Sequence, residues 1–154
     1  MHSMIAALGL ALVLPTTSDA ATTDPEVIIY RFPGVSDDGG GTFAGEATVF
    51  YCTNFSGVTE TIRFVTRTRD AALVSNRSVG LAHLGTITAA THFPALNAGT
   101  FPLDTGAVAG GTTAIAATST NVVCSAMAID AANAKPVGVA LRGIRFSPVP
   151  GSQE

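Results

Sequence analysis

Residues Thr59–Thr68 read TETIRFVTRT, with polar and apolar side chains alternating through the central Thr61-Ile62-Arg63-Phe64. In a strand, successive side chains point to opposite faces. Thr61, Arg63, Val65 and Arg67 therefore share one face, and Glu60, Ile62, Phe64 and Thr66 share the other. Ile62 and Phe64 mark the second face as the one that looks into a core. A helix would instead space its apolar residues three and four apart. Upstream, EATVFYCTN at Glu46–Asn54 reads as a strand that ends in the turn Asn54-Phe55-Ser56-Gly57. VIIYRF at Val27–Phe32 reads as another, closed by Pro33-Gly34.

Downstream, Ser78–Leu84 and Thr86–Thr91 flank Gly85, and a weaker strand, Thr100–Leu103, lies between Gly99 and Gly106. Thr112–Thr118, Asn121–Asp130 and Val137–Phe146 follow, the last two joined by a hairpin loop at Ala131–Pro136. Within Val137–Phe146 the apolar parity shifts from Val137, Val139 and Leu141 to Ile144 and Phe146 across Gly143. Such a shift predicts a β-bulge at the glycine. Helix surfaces are normally built from Glu, Lys, Gln and Arg, yet the chain has four Glu, Lys135 as its one lysine and a single Gln. The expectation is an all-β protein, a sandwich of about eight antiparallel strands, with Phe50, Ile62, Phe64, Val122, Val139 and Leu141 in its core.

Apolar residues are 47% of the 154 and charged residues 12%, which excludes an intrinsically disordered chain. A net charge of −3 disfavours general nucleic-acid binding, which needs clustered positive charge. Met4–Leu14, MIAALGLALVL, is an apolar run too short to cross a bilayer. Followed by Pro15 and by Ser18-Asp19-Ala20, it reads as an export signal cleaved after Ala20 or Ala21. The organisation expected is a signal peptide over 1–20 and one β-sandwich domain over 21–154, secreted, periplasmic or on the cell surface, with no membrane span in the mature chain.

Two cysteines in an exported chain most simply pair, so Cys52 and Cys124, each mid-strand, are expected to form one disulfide. Their spacing resembles the bridge between the two sheets of immunoglobulin-like domains. That resemblance implies an immunoglobulin-like sandwich with the bond running from sheet to sheet. The sequence departs from true immunoglobulin domains in having no Trp, with Phe64 nearest in place, and in having Val122 two residues before the second Cys.

Catalytic signatures are missing: the sequence contains no C-x-x-C, H-E-x-x-H, G-x-S-x-G or P-loop pattern. After the expected cleavage only His83 and His92 remain, and a hydrolase built on either ranks third among the functional readings. A metal site from His83, His92 and Met127 lacks further ligands. Asp37-Asp38-Gly39-Gly40-Gly41 offers two carboxylates, too few for calcium, and reads as a solvated turn. Arg63, Arg67 and Arg69 share a parity, and Arg77 is close in sequence, so the four form a candidate strip for an acidic polysaccharide or phosphate group. Asn54-Phe55-Ser56 and Asn76-Arg77-Ser78 match the glycosylation pattern. The leading expectation is a non-enzymatic exported structural, surface or interaction module without catalytic residue, metal or cofactor, its partner a protein or a glycan. The runner-up is a binding protein for an anionic glycan or small ligand through the arginine face. A final expectation concerns Val27–Tyr30, which can pair within its own sheet or on the edge of a neighbouring molecule; the first is favoured.

Overall fold

The computed structural model describes residues 26–96, 99–135 and 137–146. The stretch read as an export signal lies outside them. Ten strands form among the described residues: β1 (Val27–Asp37), β2 (Glu46–Asn54), β3 (Glu60–Arg67), β4 (Leu73–Leu81), β5 (Thr86–Ala90), β6 (Phe101–Pro102), β7 (Val108–Ala117), β8 (Val122–Asp130), β9 (Gly138–Leu141) and β10 (Ile144–Arg145). Sheet I has the order β10-β1-β7-β3-β4 and sheet II the order β6-β5-β2-β8-β9. Pairing is antiparallel except between β5 and β6. No helix among the described residues is long and apolar enough to cross a membrane.

The TETIRFVTRT reading holds. Ile62 and Phe64 are fully buried, with Glu60 and Thr66 on the same inner face. Both polar residues are satisfied there: Thr66 bonds the Thr113 hydroxyl at 2.8 Å, and the Thr118 hydroxyl donates to the Glu60 carboxylate. The rings of Tyr30, Phe32, Phe50 and Phe64 run through the core with successive centroids 5.7, 5.7 and 5.9 Å apart. Such pairs contribute beyond their area burial. Val27–Tyr30 pairs with β7 of its own chain, the favoured of its two expectations. β1 then runs on through Pro33-Gly34 to Asp37. The missing Pro33 N–H costs no ladder bond toward β10, which reaches only Tyr30 and Arg31.

Three expectations are corrected. First, the disulfide does not span the sandwich. Cys52 and Cys124 are bonded, but they face each other on β2 and β8, neighbours within sheet II. Their Cα atoms are 4.2 Å apart, close to the roughly 4.5 Å of a non-hydrogen-bonded antiparallel pair. The immunoglobulin-type bridge between sheets is absent.

Second, Gly143 is not a bulge. β9 pairs with β8 in sheet II and β10 pairs with β1 in sheet I, so the chain changes sheets between Leu141 and Ile144. Third, Val139 is 72% exposed. Its partner Ala128 lies on the inner side of sheet II, but β9 is the margin strand and sheet I does not extend over it. Leu141, nearer the crossing, is partly buried against the core.

The two sheets use their faces differently. Beyond its core face, sheet II buries a second set of side chains, Ala47, Val49, Ala90 and Ile129, packed with Ala131 and Leu96. The outer face of sheet I has no such cover among the described residues.

Candidate functional site

The two histidines lie at opposite ends of β5 and do not converge. His83 is exposed in the turn before β5, where its Nδ1 accepts from the Gly57 N–H at 3.0 Å. His92 follows β5, with Nδ1 2.8 Å from the Asp37 carboxylate and Nε2 3.0 Å from the Ala44 carbonyl. Both neighbours of the His92 ring are acceptors, so the ring is occupied in holding the Asp38–Gly45 loop to the end of β1. Neither nitrogen is aimed at a hydroxyl or thiol nucleophile. Among the described residues no three His, Cys, Asp or Glu side chains cluster as metal ligands.

The acidic turn is explained by backbone bonding. Asp37 is buried and accepts from the Gly39 N–H at 2.8 Å. Asp38 accepts from the Gly40 N–H at 2.9 Å. Backbone N–H donors of Glu46 and Gly40 hold its carboxyl below the ordinary aspartate value of 3.8, helped by the nearby His92 ring. Of the two glycosylation patterns, Asn54 is fully buried and its amide donates to the carbonyls of Val58 and Leu81. Asn76 is exposed on β4.

The arginines divide. Arg63 and Arg67 share the outer face of sheet I, as their parity requires. Arg69 does not join them, because β3 ends at Arg67 and Arg69 lies in the turn to β4, 3.9 Å from Asp70. Arg77 is also removed from the strip. It pairs with Phe64, an inward residue, and at the sheet margin it turns toward the partner sheet, over the Phe101 ring at 5.5 Å and onto Asp104 at 2.6 Å.

Sequence reasoning missed Arg31. On β1 it stands opposite Ala114 of β7, and Ala114 stands opposite Val65 of β3. Arg31 is thus level with Val65, two strand spacings or about 10 Å away, and faces Arg63 and Arg67 diagonally across β7 at about 12 Å, while the latter two lie about 13 Å apart along β3. Alternation in VIIYRF would put Arg31 outward once Phe32 is inward, but its neighbours depend on a β1–β7–β3 order that no local pattern carries.

Between these walls is a trough. Its floor is the outer face of β7, Thr112, Ala114 and Ala116, all too small to fill the space between longer side chains. Ile28, Arg31, Arg63, Val65 and Arg67 complete a cavity of about 200 Å³. Arg63 is paired with Glu26, Nε to Oε2 at 2.6 Å, and these two atoms are screened from water with no other partner. The Arg31 guanidinium lies over the Phe146 ring at 5.6 Å, and Arg67 donates to the Ala71 carbonyl at 2.8 Å. Neither has a carboxylate partner among the described residues, so the trough carries two uncompensated positive charges. Guanidinium forks suit carboxylate, sulfate and phosphate groups.

Comparison of the chain with protein families, with curated proteins and with solved structures gives no match.

Proposed function

We propose that the chain is an exported, non-enzymatic β-sandwich, an interaction module that holds an anionic glycan or a small anionic ligand on the outer face of sheet I. The observation that carries this reading is the trough over β7, in which Arg31 and Arg67 face a floor of small side chains without carboxylate partners among the described residues. Its volume of about 200 Å³ is below the range of about 300–1,000 Å³ usual for enclosed ligand pockets. It therefore suits one charged unit of a longer chain laid along β7 better than an engulfed molecule. The engagement of both histidines in local structure supports a non-catalytic role, and the Cys52–Cys124 bond is compatible with an oxidising compartment. Immunoglobulin-like enters the reading only as an architecture of two facing, largely antiparallel sheets.

The test is retention on immobilised sulfated and carboxylated polysaccharides, with a neutral polysaccharide as the reference. Binding to the charged matrices should weaken steeply with salt, because the contacts are ionic. Replacing Arg31 and Arg67 with Ala together should weaken it at least about tenfold, since each charge-assisted hydrogen bond contributes about 1.5–3 kcal/mol. Replacing Arg69, which lies off the face, should leave it unchanged. Equal retention of the parent on the neutral matrix, or of the double variant on the charged ones, would remove the trough as the binding site.

A further inference from the structure

The four margins of the two sheets differ in length. Sheet I ends in β10 and β4, sheet II in β6 and β9. β10 and β6 have two residues each and β9 has four, whereas β4 has nine. A margin strand presents a row of unpaired N–H and C=O groups, and proteins blunt long ones with lysine, proline, bulges or a covering segment. β4 reads LVSNRSVGL, with no lysine, proline or carboxylate. Its one irregularity, at Val74 between the pairs Thr66–Ser75 and Arg67–Leu73, lies at its start.

The nearby loop after β6 touches β4 through side chains. The Ser75 hydroxyl donates to the Leu103 carbonyl at 2.6 Å, and Arg77 reaches Asp104. Asn76, Arg77, Ser78 and Gly80 are exposed.

We infer that this rim pairs, antiparallel and about a two-fold axis, with the β4 rim of a second copy of the chain. A strand that adds here must offer a matching row of main-chain groups over a comparable length, without charge repulsion, and β4 itself meets each condition. Asp104 neutralises Arg77, the one charged residue of the strand, so the rim carries no net charge against its copy. Pairing centred on Asn76 sets Asn76 opposite Asn76, Arg77 opposite Ser75 and Ser78 opposite Val74. A centre at Arg77 would oppose two guanidiniums, a destabilising pair. The self-complementary patch is the isologous kind that closes as a dimer.

The product is one ten-stranded sheet whose two β7 strands are five spacings, about 24 Å, apart. Because the axis stands perpendicular to the sheet, both arginine troughs open on the same surface, turned relative to each other by the sheet twist. A polyanion long enough to reach both would bind with avidity. That consequence rests on the binding role proposed for the trough, whereas the dimer does not.

Sedimentation of the purified, unglycosylated protein from micromolar to millimolar concentration tests the dimer with no ligand present, so the result is independent of the trough. A monomer–dimer equilibrium is expected, with slower hydrogen exchange at β4 amides as concentration rises. Asn76→Lys, which sets two ammonium groups against each other at the axis, should raise the dimer dissociation constant at least tenfold while leaving the far-UV spectrum and melting curve in place. Val139→Lys, on the exposed β9 margin of the other sheet, should leave it unchanged. A monomer throughout this range, or a dimer that Asn76→Lys leaves intact, overturns the inference and returns the rim to a foreign strand or to solvent.

Discussion

Gly143 occupies the point where the chain leaves sheet II for sheet I, and there the backbone passes directly over the Phe32 ring. A Cβ built on it would overlap that ring, 2.7 Å from Cζ. Phe32 cannot yield, being 1% exposed and held between Tyr30 and Phe50. Gly143→Ala is therefore expected to cost about 1–3 kcal/mol, the range for overpacking a filled core. Gly99→Ala, where an added Cβ meets nothing within 4 Å, serves as the reference. Denaturant unfolding of both should shift the midpoint for Gly143→Ala alone; equal midpoints would mean that the crossing has room. The same glycine shows how far sequence reading reaches. The parity shift across it is visible in VGVALRGIRF, but a bulge and a change of sheet produce the same shift. Distinguishing them requires knowing that Ile144 lies opposite Arg31 in another sheet. Val139 failed for a related reason: alternation gives a residue's face, and exposure depends on whether a second layer covers that face.

The strands themselves were far more legible than their neighbours. Glu46–Asn54 matches β2 at both ends, because alternation is bounded there by turn residues. The trough was half legible: Arg63 and Arg67 follow from parity, while Arg31 arrives through strand order. Between β1 and β2, Asp37-Asp38-Gly39-Gly40-Gly41 reads in the sequence as a solvated turn within the Asp38–Gly45 loop and the end of β1. The exposed Asp38 carboxylate does organise it, through the backbone donors of Glu46 and Gly40, and Gly45, at φ 72°, leaves room for that carboxylate where a Cβ would collide with it.

Its pH consequence has a definite sign. The folded-state pKa is lowered from 3.8, so the contribution of Asp38 to stability is fully present above that value and fades as pH falls through the lower folded value. Asp38→Asn should therefore be less stable than the parent near pH 6, and the gap should close as the pH falls below about 3.8. Unfolding midpoints of the two proteins across that range provide the check. A gap that stays constant with pH would show that the amide replaces the carboxylate's role without regard to its charge.

The disulfide bears on the whole chain although it links two neighbouring strands. Cys52 and Cys124 are 72 residues apart in sequence, and the enclosed segment supplies β3 and β7 of sheet I together with β4, β5 and β6. β2 and β8 are also held by a ladder of nine register pairs from Glu46–Asp130 to Asn54–Val122, so the native fold does not need the covalent bond to bring them together. What the bond changes most is the unfolded chain, whose freedom it cuts by closing so long a loop. The chain-entropy estimate for this length is about 4 kcal/mol, a large share of the 5–15 kcal/mol typical of a domain. Replacing both cysteines with Ala should thus lower unfolding stability by about 4 kcal/mol while keeping the native β spectrum, since the ladder survives. A reductant should do the same to the parent and nothing to the variant. Were the variant as stable as the parent, the unfolded chain would have to be compact already across these 72 residues; were it unfolded in buffer, the ladder and core would be contributing less than the bond that crosses them.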